Sequence, residues 1–138
     1  MSLSPNATVT GGAQTGFTSP TFTIAADTPP ESNAKQWYVS ALGGTQQSAA
    51  AHAGASPFTV AFFRPKSFRR PATPNGVLSI SGGANGVKGK NTFKLIVRKG
   101  VYAYDTNYRD GLLMANLSID VPVGPESMSK DDIRSAIS

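Results

Sequence analysis

The side chains best suited to chemistry are basic and lie mid-chain. Between Ala61 and Tyr104 stand Arg64, Lys66, Arg69, Arg70, Lys88, Lys90, Lys94, Arg98 and Lys99, with no carboxylate among them. The remaining residues hold four basic and eight acidic side chains, and the whole chain has a formal net charge of +5. A cationic stretch between mildly acidic ends suits a polyanion held on one surface. The other reading is a scatter of solvated lysines that keeps the chain soluble. Lys94 and Arg98 are four apart in NTFKLIVRK. On an extended strand that spacing puts both on one side, together with Thr92. By the same alternation Thr59 and Ala61 continue this side on FTVAFFR, and Met114, Asn116 and Ser118 on the final strand.

No catalytic constellation accompanies these cations, and the chain is read as a non-enzyme. There is no cysteine, which excludes disulfides and thiolate metal sites. His52, the single histidine, sits in the small polar run TQQSAAAHAGAS and is read as a solvated loop side chain. Asp105 and Asp110 share a loop, read as a solvated turn rather than a cation site. SGGANGVKGKN is rich in glycine and lysine but lacks the strand–GxxxxGK[ST]–helix order of a phosphate loop, so it is read as a hairpin tip. No metal or cofactor is expected. No segment approaches the roughly 18 apolar residues of a membrane helix. The start, MSLSPNATVTGG, has neither the basic nor the apolar run of a signal peptide. The triplets at Asn6 and Asn116 that match a glycosylation sequon are read as chance.

The elements that must position these residues are strands. A chain of 138 residues, with 14 glycines and 10 prolines cutting it into short pieces, suits a single mainly β domain over 1–138. NATVT, Asn6 to Thr10, and TFTIA, Thr21 to Ala25, form an N-terminal hairpin within 1–26. The main sheet spans 35–123. It takes strands from Gln36 to Leu42, Phe58 to Arg64, Asn91 to Lys99 and Leu112 to Val123, with Gly43 to Ser56 as loop. Residues 65–90 form a basic, glycine-rich insertion, in which Val77 to Ser81 adds a short strand.

The final strand is apolar on one side only. Leu113, Ala115, Leu117, Ile119, Val121 and Val123 point one way; Met114, Asn116, Ser118 and Asp120 point the other. Its sheet therefore has a dry face and a wet face, and the dry face needs cover. The local candidate is a helix beginning at 129–138. Ser129 is its N-cap, Asp131 and Asp132 oppose its dipole, and Ile133 and Ile137 give an apolar stripe. A helix of about ten residues cannot cover such a sheet. The cover must come from more chain or from another subunit.

This layout resembles the coat protein of the small single-stranded RNA bacteriophages, the leviviruses. NLSIDVPVGPESMSKDDIRSAI is similar to that family's last strand, hinge and first-helix start; PFTVAFFRPKS and NTFKLIVRK resemble the two strands before it. The resemblance implies an α+β fold, mainly β, with an open antiparallel sheet completed by dimerisation. It implies that Leu113, Leu117, Ile119, Ile133 and Ile137 form a homodimer interface, each chain's helix lying across the partner's sheet. It implies contacts between dimers from the loop after Gly100, through Tyr102, Tyr104, Tyr108 and Arg109. It implies single-stranded RNA on the wet face, at Thr59, Ala61, Thr92, Lys94, Arg98, Met114, Asn116 and Ser118, where Lys and Arg attract phosphate and Asn and Ser hydrogen-bond unpaired bases. The family packages its genome in an icosahedral shell and represses replicase translation through an RNA hairpin, which places the protein in the virion. Three features depart from the family. Met114 stands where many members carry an aromatic, the first of the family's usual two C-terminal helices is hardly begun, and the 66–90 insertion is longer than the corresponding hairpin usually is. The alternative is a β-rich nucleic-acid-binding module with no shell.

Overall fold

The computed structural model describes residues 4–46, 49–69, 89–103, 109–123 and 130–137. Six strands follow one another as neighbours in one sheet: β1 (Thr8–Thr10), β2 (Phe17–Asp27), β3 (Ala34–Gln46), β4 (Phe58–Phe63), β5 (Lys90–Val101) and β6 (Gly111–Pro122). A short helix, α1 (Lys130–Ile137), closes the chain. This is the mainly β, open-sheet architecture with a C-terminal helix that the sequence implies. The chain divides into two compact units, Met1–Phe62 with Leu95–Leu117, and Phe63–Lys94 with Ser118–Ser138.

In the first unit, the N-terminal hairpin is the start of the sheet. β1 runs antiparallel to β2, with Val9 opposite Phe22. β2 then pairs along its length with β3. Both strands run further than alternation alone suggests, because two irregularities lie inside them. The pairing passes from Thr18↔Thr45 to Thr21↔Gly43, so Ser19 and Pro20 together face Gly44. Proline has no N–H for a ladder and is tolerated at such a bulge. Its carbonyl is still used, accepting from Gly11 N at 2.9 Å. Ser19 and Gly44 both take positive φ, 48° and 72°. The second shift, between Thr23↔Ala41 and Ile24↔Val39, leaves Ser40 extra on β3. It restores parity, so that Leu42 stands opposite Phe22 while Val39 stands opposite Ile24.

The connection between β3 and β4 is tied down rather than loose. Gly43 to Gln46, expected as loop, belongs to β3. Gln46 Nε2 donates to the carbonyls of Thr21 and Gly43, at 3.0 and 2.8 Å. His52 is half-buried, not merely solvated. Its Nδ1 accepts from Phe58 N at 3.0 Å, its own N donates to Val39 O at 2.8 Å, and its ring lies 5.3 Å from that of Tyr38. Lys99 Nζ donates to Ala50 O and sits 4.3 Å from the centre of the Phe58 ring. Burial among these groups holds its ammonium pKa below the usual lysine range, with Arg109 adding repulsion.

In the second unit, residues that open the basic insertion dock on β5. Asn91, 2% exposed, accepts from Arg69 N at 2.9 Å and donates through Nδ2 to Arg69 O at 3.1 Å. Phe68 packs its ring 6.1 Å from Phe93. Gly89 O accepts from Val123 N at 2.8 Å. In α1, Asp131 and Asp132 occupy the first turn as expected, and Arg134 pairs with Asp131 at 3.2 Å. The expected N-cap Ser129, the strand at Val77 to Ser81 and residues 81–88 of the glycine–lysine hairpin tip lie outside the described residues, while Lys90 and Asn91, read as part of that tip, belong to β5.

What the fold lacks is a core of ordinary size. Among the described residues, the buried apolar side chains are Ala34, Val39 and Ala61. A 138-residue chain ordinarily buries many large aliphatic and aromatic groups. Here, among the described residues, most of them are only partly buried.

Candidate nucleic-acid and assembly interface

The first unit carries an apolar groove of about 330 Å³. β1 and β2 contribute Val9, Phe22 and Ile24 to it, β3 Trp37 and Val39, β4 Phe58, Val60 and Phe62, and β5 Leu95; Pro5 adds the N-terminal segment. This is the face whose β4 and β5 residues the alternation marks as dry, and its large side chains are only partly buried.

The β6 end of the sheet exposes still more apolar surface. Among the described residues β6 has one neighbouring strand, β5. Leu113 and Leu117 are 55% and 54% exposed, and Leu112 and Met114, of the opposite parity, 52% and 48%. The division into a dry and a wet side is thus written in residue type but not in burial: within this chain both sides of β6 are open. An edge strand with free backbone groups and exposed leucines is a template for pairing, which soluble proteins otherwise blunt. Ile119 and Ile133, of the second unit, are partly buried; the side chain of Ile137 lies outside the described residues.

The polar candidates separate by accessibility. Lys94, Met114, Asn116 and Ser118 are exposed, and Thr92 and Arg98 partly so. Thr59 and Ala61 are buried, at 6% and 0%. They have short side chains on a strand with neighbours on both edges, so they offer little surface to a ligand. In the second unit the wet side holds a pairing that alternation does not reveal. Asp120 on β6 accepts from Thr92 Oγ1 at 2.5 Å and is ion-paired with Lys90, both on β5. The bond from Lys90, then that from Thr92, hold its carboxyl below the usual carboxylate range.

The loop after Gly100 is pinned at its stems. Arg109 Cζ lies 4.5 Å from the centre of the Tyr102 ring, and Asp110 accepts from Ala103 N at 3.0 Å. Tyr102 is exposed. Tyr104, Tyr108 and Asp105 lie outside the described residues.

Sequence reasoning counted Lys90 and Lys99 among the cations without their partners, and passed over Asn91 and the bonding of His52. Asn91, Lys90 and Lys99 each meet a partner 22 or more residues away. Among the described residues no group of three or more His, Cys, Asp or Glu could hold a metal ion, and no helix is long and apolar enough to cross a membrane.

No family model matches the chain, and no curated protein does. A solved structure does: the virus-like particle of bacteriophage ESE020. Its chain matches with a TM-score of 0.83 and 38% identity, over 99% of this chain and 86% of that one. The chain belongs to the bacteriophage coat proteins. The relationship favours a structural role over an enzymatic one.

Asp27 is a second carboxylate whose hydrogen bonds favour its charged form. Asp27 accepts from Gln36 Nε2 at 2.6 Å and from Thr28 N at 2.7 Å, which holds its pKa below the usual value, as Lys90 and Thr92 do for Asp120. A carboxylate whose folded pKa is depressed stabilises the fold above its unfolded pKa and loses that contribution as pH falls through the folded value. The urea midpoint is therefore expected to drop below about pH 4. In Asp27→Asn/Asp120→Asn that drop should shrink; an identical drop in the double variant would count against these two groups.

Proposed function

We propose that the coat protein is a capsid subunit of the levivirus type: it pairs into homodimers, builds an icosahedral shell and encloses single-stranded RNA inside its bacterial host. The observation that carries this reading is the missing core. Among the described residues three small or medium apolar side chains are buried, while the groove of Phe22, Trp37 and Phe58 and the leucines of β6 are left for something else to cover. A second copy supplies what is needed. Two β6 edges pair about a two-fold axis, and the stripe of Ile133 and Ile137 crosses onto the partner's dry face. Tyr102, Tyr104, Tyr108 and Arg109 then join dimer to dimer, where tyrosine and arginine are favoured.

The RNA surface in this reading is the wet face around Lys94, Arg98, Asn116 and Ser118. Thr92 and Met114 flank it, while Thr59 and Ala61 act as spacers. With Met114 in place of an aromatic, base stacking is weak and phosphate attraction dominates, so repression through one RNA hairpin is the lesser part of the function.

Electron microscopy of negatively stained expression product tests the shell: particles holding nuclease-protected RNA are expected, whereas a small soluble species would favour the shell-less module. The RNA face is tested by Lys94→Ala/Arg98→Ala. Without these two cations to neutralise phosphates, the salt slope of binding should fall by about 1.4. The fold should persist, because Lys94 is exposed and Arg98 only partly covered. Unchanged packaging in that variant, with loss on replacing Arg69 and Arg70, would move the site to the basic loop.

A further inference from the structure

Asp120 stands as a carboxylate among cations, on the face where the proposed function places RNA. Its side chain is 41% exposed and that of Lys90 60%, so the pair is open to solvent. Thr92 Oγ1 fixes Oδ1 while Lys90 Nζ takes Oδ2, so both oxygens are engaged by one strand. An exposed pair of this kind adds little to stability. A structural role is thus a weak reason for a negative charge here. Its electrostatic effect on an arriving polyanion is larger, since the carboxylate cancels a cation that would otherwise meet phosphate.

We propose that Asp120 is a built-in competitor for RNA phosphate: it holds Lys90 in an intramolecular ion pair that a phosphate must displace. The inference rests on the RNA-binding reading of this face and adds to it a residue that limits affinity. It makes the effective charge of the face smaller than its lysines alone would give. Binding to bulk RNA then stays weak enough for subunits to exchange while a shell forms. Thr92, assigned by alternation to the RNA surface, acts here through Asp120: its hydroxyl holds the carboxylate at the position where Lys90 meets it.

The test is a salt titration of the full chain with a fluorescently labelled oligouridylate, comparing wild type, Asp120→Asn, Lys90→Ala/Asp120→Asn and Asp131→Asn. Freeing Lys90 lets it neutralise one more phosphate, so Asp120→Asn should steepen the salt slope by about 0.7 and, extrapolating from 1 M, tighten binding about fivefold at 0.1 M salt. The double variant should return to the wild-type slope and affinity. Asp131→Asn, an equal charge change on α1, should leave both unchanged. Weaker binding by Asp120→Asn would mean that the carboxylate meets bases directly, and would overturn the proposal. So would a double variant that keeps the gain, or an Asp131→Asn that matches it. If wild type binds RNA through Lys94 and Arg98 but Asp120→Asn changes nothing, the competitor alone fails. If no protein in the series binds RNA, the RNA reading fails with it.

Discussion

A chain carrying Leu113→Asp and Leu117→Asp should fold, stay monomeric and form no particles. Both leucines are more than half exposed within the chain, so its own fold gains little from them. In the proposed pair the exposed remainder of each is covered. Complete burial of a leucine is worth about 1.5–3 kcal/mol, so covering the remaining half yields about 1 kcal/mol, or about 4 kcal/mol for the four leucines of a two-fold dimer. That alone weakens association roughly a thousandfold. The four introduced carboxylates add repulsion across the axis and a desolvation cost, which pushes the loss further. Sedimentation velocity at micromolar protein reads the outcome, and circular dichroism checks that the sheet remains. The wild type should sediment as a dimer or larger. A folded wild-type monomer at that concentration would sink the pairing, and a double variant that still assembles would move the interface off this strand.

Local alternation showed most of the sheet. NTFKLIVRK became β5 with one residue added before it and two after, and the final strand and the helix start moved by a single position. These segments are regular, and period two is a strong signal over nine residues or more. β2 and β3 were read short for one reason. Pro20 and the Gly43–Gly44 pair are ordinary strand terminators, but here they face each other across a bulge and pairing resumes beyond it. The candidate site divides in the same way. The side of the strand on which Lys94 and Asn116 lie is a local property and was legible. Which partner a side chain meets is set by register, and residues 28 and 30 apart bring Thr92 and Lys90 to Asp120. Burial was legible least of all. Thr59 and Ala61 share parity with the RNA candidates but are hidden by their central strand, while Phe22, Trp37 and Phe58 are apolar yet half open. In the proposed assembly, residue type reports the covered state that the burial of one chain does not.

Gly44→Ala should destabilise the first unit by about 2–5 kcal/mol, combining backbone strain with overpacking. Two separate costs meet at this position. Gly44 holds φ +72°, where any side chain bearing a Cβ is strained. The added Cβ would also run into Ser19 O and lie 2.7 Å from Thr18 O. Those are backbone atoms of the facing bulge, so no rotamer change can relieve the clash. Relief requires re-registering β2 against β3, which slips Phe22 and Leu42 out of line and breaks the apolar groove. Gly44→Asn separates the two costs, since asparagine tolerates left-handed φ but carries the same Cβ. Damage close to that of alanine would assign the effect to the clash, and a near-normal urea midpoint would assign it to strain. Ser19→Gly is the complementary change. Ser19 holds φ 48° at a steric cost that its Cβ imposes, so glycine should relieve local strain, offset in part by the unfolded chain's added entropy. A loss of stability there as large as that of Gly44→Ala would show that the serine side chain, not the backbone, holds the bulge together.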